Sequence, residues 1–66
     1  MGSEMRKVMD HGAYQEALKA KSDAALRFII KDAGEAIAAN PDGINSGYYA
    51  DEIHYAHAEL RKRMKG

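Results

Sequence analysis

Residues 22–40 read SDAALRFIIKDAGEAIAAN, and this stretch limits most of what the chain can become. At about 100° per residue, Leu26, Ile29, Ile30, Ala33 and Ile37 fall in one arc of roughly a third of a helix circumference. Tyr14, Ala17, Leu18, Ala25, Phe28, Ala36 and Ala39 fall on the adjoining arc. Phe28 points nearly opposite the centre of the first arc. Together the two arcs cover more than half the helix, whereas a helix packed on one neighbour needs a much narrower stripe. This helix therefore demands at least two neighbours. Its one clearly polar strip runs through Glu16, Asp23, Arg27 and Lys31.

The helical pattern is continuous from Ala13 to Asn40 and reads as one helix over about 13–40, bent near Ser22. Serine is a favoured N-cap. No glutamate follows at the capping-box position, however, and no glycine or proline precedes Ser22. Gly34 costs about 1 kcal/mol relative to alanine in a helix interior. The next segment, Asn40-Pro41-Asp42-Gly43, has the residue preferences of a type I turn. The residue before proline is pushed out of the helical region, which ends the first helix. Asn45 or Ser46 then caps a second helix over about 47–65, with Arg61, Lys62, Arg63 and Lys65 at the end where cations complement the helix dipole. Residues 1–12 are read either as a disordered arm or as a short helix, since Met5, Val8, Met9 and Gly12 have i, i+3, i+4, i+7 spacing. The expectation is an all-α single domain over 1–66, built as a helical hairpin.

The two arms are unequal, and the longer overhangs by roughly 12 Å at a rise of about 1.5 Å per residue. The overhang, residues 14–21, carries Tyr14, Ala17 and Leu18, which the second helix cannot reach. A chain of 66 residues is marginal by itself and usually needs disulfides, a metal or a partner subunit. There is no cysteine. The overhang and the wide apolar arc both point to a homodimer, two hairpins forming a four-helix bundle. Leu18, Ala25, Phe28 and Ala36 mark the self-association face. Ten acidic and ten basic residues cancel, so no global pull toward nucleic acid or membrane arises. No apolar run approaches the ~20 residues of a membrane span. Nor does MGSEMRKVMDHG contain an apolar core of signal-peptide length. A cytoplasmic protein is expected.

In the second helix Ala50, Ile53, His57, Leu60 and Met64 keep strict 3-4-3-4 spacing, a heptad seam. It is read as the face that packs on the first helix, which makes His57 a pH-sensitive core position. His54 and His57 have a spacing that can put two imidazoles on one metal, but Asp51 lies outside the seam and His54 on its flank, so no metal is expected. A calcium hand around Gly43 fails, because Ala38 and Tyr49 fall at ligand positions and neither can coordinate. Tyr48 and Tyr55, seven apart and turned away from the seam beside Glu52, read as a fragment of a partner-binding interface. Their alternative role is to pack residues 5–12. No nucleophile–base arrangement or phosphate loop is present, so neither an enzyme nor a bound cofactor is expected.

The stretch DAALRFIIKDAGEAIAANPDG…GYYADEIHYAHAELRKR resembles small uncharacterised proteins encoded by tailed bacteriophages. The resemblance spans about residues 14–63 and carries no catalytic or binding residues. It implies an accessory factor, an inhibitor or adaptor, that binds a host or phage protein. The expected function is a non-enzymatic protein-interaction module. The alternative is a small nucleic-acid-associated regulator that uses Arg61, Lys62, Arg63 and Lys65 against phosphates.

Overall fold

The computed structural model describes residues 8–65, so Met5 and its part in the N-terminal spacing lie outside the described residues. These residues form three helices and no strand: α1 (His11–Lys19), α2 (Asp23–Ala39) and α3 (Ser46–Lys65). The all-α class therefore stands. The single helix over 13–40 does not, because the chain breaks at residues 20–22.

Ser22 explains half of the break. Its backbone is extended (φ −71°, ψ 163°), and its Oγ accepts from the Ala25 N–H at 3.1 Å. A serine hydroxyl offers the backbone this alternative to the helical ladder, which is why serine leads at N-caps. The other half is tertiary. A helix end leaves carbonyls without intrahelical partners, and here Arg63 of α3 donates from Nη2 to the Leu18 and Lys19 carbonyls at 3.2 and 3.3 Å. The same guanidinium reaches Asp23, the first residue of α2, at 2.7 Å, and Glu59 on its own helix at 3.1 Å. The hydrogen bond to Asp23 above all raises the Arg63 pKa, so the clamp is always charged.

With the break in place, α1 turns back along α3. Asp10 caps its start, its Oδ1 accepting from the Ala13 N–H at 3.1 Å. Of the overhang, Leu18 and Tyr14 are thus covered by the chain itself, while Ala17 stays exposed. Leu18 is buried in a small core with Leu26 and Ala56, and Tyr14, Ile29, Ile30, Tyr55 and Leu60 pack around it. Downstream, Asn40 leaves the helical region (φ −149°, ψ 74°), and the Gly43 N–H bonds to the Asn40 carbonyl at 2.9 Å, closing the expected turn. A Cβ on Gly43 would stand 3.1 Å from that carbonyl and 2.8 Å from the Asn40 side-chain Nδ2, so the turn packs tightly here and a larger residue would displace the Asn40 side chain. The Tyr49 N–H bonds to the Asn45 carbonyl and opens α3.

The register of α3 is the second correction. Its buried line is Ala56, flanked by half-buried Tyr49, Glu52, Ile53, Tyr55, Glu59, Leu60 and Arg63. Of the heptad seam, Ile53 and Leu60 are half-buried, while Ala50, His57 and Met64 are exposed. The reason is that α3 has two neighbours, α2 on one side and α1 on the other. Its buried arc is centred between them and the seam is left at the outer edge. His57 is a surface residue, so the expected buried, pH-sensitive position falls with the register. In a denaturant titration, His57→Leu should change stability by less than about 0.5 kcal/mol. The molecule is elongated, 46 × 23 × 14 Å, with a radius of gyration of 12.9 Å against about 11 Å for a compact chain of this length.

Gly34 serves no tight helix crossing, because a Cβ built there meets nothing within 4 Å. Gly34→Ala should therefore stabilise the fold by about 1 kcal/mol through helix propensity alone. A rise in thermal midpoint checks this. A fall would show that something packs closely on that face of α2.

Candidate interaction surfaces

This arrangement creates four surfaces. The first is the α1–α3 contact, which holds two of the residues singled out as a partner-binding face. Tyr55 is its centre. Its hydroxyl shares a 2.8 Å hydrogen bond with His11 Nδ1, and its ring meets His11 and His54 edge-on and Tyr14 at a tilt, with centroids 5.4–6.3 Å away. The Tyr14 hydroxyl donates to Glu52 Oε2 at 3.3 Å. Burial first, and then the adjacent Glu52 carboxylate, push the Tyr14 phenol up to about 12. Tyr55 and Glu52 thus seat α1. Tyr48 stacks edge-on with Tyr49 at 6.0 Å and lines a shallow hollow with Val8, Met9, His11 and Ile44.

The second is the basic C-terminal end, which the structure divides. Arg63 is spent on the clamp, and Lys62 lies 3.6 Å from Glu59. Arg61 and Lys65 are exposed. No carboxylate among the described residues lies within ion-pair distance of Arg61. The third is the proposed self-association face. Leu18 is buried in the chain's own core, Ala25 and Ala36 are half-buried, and Phe28 stands 65% exposed.

The fourth surface was legible in the sequence only as a seam. Ala50, Ile53, His57, Leu60 and Met64 line an open groove of about 680 Å³ whose walls also include Arg27 of α2 and His54 and Arg61 of α3. Met64 is 82% exposed. Arg27 is the residue that sequence reasoning missed here. It stood in the polar strip of a supposed longer helix, and only the true α2–α3 register brings it opposite Arg61. His54 and His57 both line this groove, and among the described residues no group of three or more His, Asp or Glu side chains is placed to hold a metal ion. No helix among the described residues is long and apolar enough to cross a membrane. The chain matches no family model, no curated protein and no solved structure.

Tyr14 supplies a check on the α1–α3 contact. Its folded pKa lies above the ordinary value of 10.0. The corresponding stability is complete below pH 10 and is lost as pH rises through about 12. An alkaline titration followed by phenolate absorbance should show a component near pH 12 that disappears in Tyr14→Phe. If the titration of the two proteins is identical, α1 is not seated on Glu52.

Proposed function

We propose that the chain is a non-enzymatic protein-interaction module that takes a helical segment of a partner protein in the groove between α2 and α3. One observation carries this reading: the outer edge of a seam with heptad spacing, the spacing that fits helix packing, stays exposed at Ala50, His57 and Met64, with no helix of the described residues laid over it. Helices that dock into grooves are held by apolar anchors at i, i+3, i+4 and i+7. Ile53, Leu60 and Met64 offer the matching apolar floor. The resemblance to phage accessory proteins points the same way, toward a host or phage protein as partner in the cytoplasm. The nucleic-acid alternative keeps Arg61, Lys62 and Lys65 on the surface but has lost Arg63 to internal partners.

A second reading has its own observation. Phe28 lies about 200° round α2 from Leu26, which is fully buried, and is 65% exposed. We propose that it is the anchor of a homodimer in which two α2–α3 hairpins meet along α2 as a four-helix bundle, with α1 on the outside. The groove stays open in such a dimer, because Phe28 points away from α3.

Photo-crosslinking groups placed at Ala50 and at Met64 in the source cells should both capture one and the same protein. A group at Asp42, in the turn, should not. Ala50→Glu should abolish the Met64 crosslink while leaving the helical circular dichroism intact. Capture of nucleic acid instead, or equal capture from the turn, would contradict the reading. For the dimer, sedimentation at micromolar concentration should show a species of twice the chain mass that Phe28→Glu converts to monomer, since a charge in an apolar contact is costly. A wild-type chain that is already monomeric would sink that second reading alone.

A further inference from the structure

We infer that the occupant of the groove is an acidic amphipathic helix, about four turns long, whose apolar stripe is flanked by aspartate or glutamate. This deepens the proposed function and rests on it.

The length comes from the floor. Ala50 to Met64 is fourteen steps along α3, or about 21 Å at roughly 1.5 Å per residue. The charge comes from the walls. Arg27 stands on the α2 wall, and Arg61 with His54 on the α3 wall, and no lining residue is acidic. Elsewhere on the folded body, Lys19 is held by Glu16, Lys31 by Glu35, Lys62 by Glu59, and Arg63 by Asp23 and Glu59, while Lys21 and Lys65 stand at element ends and do not line the groove. No carboxylate among the described residues lies within ion-pair distance of Arg27 or Arg61. In a chain of zero net charge, the groove is therefore a local cationic site. Guanidinium groups suit carboxylates through bidentate, charge-assisted hydrogen bonds. Complementary charge across an interface selects the partner and speeds its encounter, and like charge rejects the wrong one.

Two other occupants fit less well. A phosphate backbone would pair with Arg27 and Arg61 but leave Ile53, Leu60 and Met64 without apolar partners. A second copy laid face to face would oppose arginines to arginines. The outer face of α2 offers one large apolar anchor, Phe28, followed at helical spacing by Asp32 and Glu35, and one anchor cannot fill a four-turn floor.

The test uses the whole chain and two synthetic helical peptides. Both carry the same leucine stripe at i, i+3, i+4 and i+7; one has glutamates on its flanks and the other lysines. Binding is read by amide chemical shifts and by fluorescence anisotropy. The glutamate peptide should bind saturably, shift the Ala50, His57 and Met64 amides, bind about tenfold tighter than the lysine peptide and weaken with added salt. The double variant Arg27→Glu with Arg61→Glu, both residues exposed, should fold normally and reverse the preference. Equal or tighter binding of the lysine peptide in the groove would overturn the acidic class while leaving the groove a helix receptor. Binding of neither peptide would overturn the inference, and with the crosslinks also absent would remove the proposed function as well. Duplex DNA that displaces the glutamate peptide and shifts the same amides more strongly would overturn it too. So would groove shifts that grow with protein concentration when no peptide is present, because they would make a second copy the occupant.

Discussion

The guanidinium of Arg63 holds the architecture together. It gathers three parts of the chain at one point: the last carbonyls of α1, the first carboxylate of α2 and Glu59 of its own helix. Each of these groups has a reason to want a cation. Helix C-termini present orphan carbonyls and partial negative charge, and Asp23 and Glu59 are acidic. Arginine is the side chain that can satisfy all of them, since its planar fork carries five donors and never loses its charge. With the corner pinned there, α1 has only one direction to take, back along α3.

The last helix thereby becomes the central element of the molecule. α3 lies between α1 and α2, and its two flanks do different jobs. One holds Tyr55 and Glu52 against α1, an aromatic and polar contact. The other holds Ala56 and Leu60 in the core with Leu26, Ile29 and Ile30 of α2. The fully buried residues are Leu18, Leu26, Ala33 and Ala56. That is a small core for a domain, as surface-to-volume scaling leads one to expect at this size. Placing α1 on one flank leaves the opposite rim of the α2–α3 hairpin open. The groove and the exposed seam are thus consequences of the Arg63 corner rather than separate features.

Much of this was legible from residue types alone. The Asn40-Pro41-Asp42-Gly43 turn, the start of α3 close to Asn45 or Ser46 and the all-helical class stem from local stereochemistry, which tertiary context rarely overrides in a proline–glycine turn. The demand of Leu18 and Tyr14 for cover was also readable, because it needs only helix periodicity and arm length. The manner of cover was not. Ser22 is a cap by type, yet the alanines around it favour a continuous helix, and the groups that settle the competition lie forty or more positions away on Arg63. With α1 read as an extension of α2, Tyr48 and Tyr55 read as an outward interface or as a packing site for residues 5–12, and the seam as facing inward. With that single break Tyr55 meets α1, and Ala50, His57 and Met64 of the seam are exposed. The seam's spacing is real and its surroundings differ from expectation, since periodicity identifies an apolar edge without saying which helix covers it.

Residue-by-residue amide hydrogen exchange is the most direct test, comparing the wild-type chain with Arg63→Gln. In the wild type, Asp23 and Ala24 should exchange rapidly between two protected segments, because first-turn amides have no helical acceptor. In Arg63→Gln, the amides of α1 should lose protection while those of α2 and α3 keep most of theirs. Continuous protection through residues 20–25 in the wild type, or α1 amides that exchange no faster without Arg63, would contradict the account.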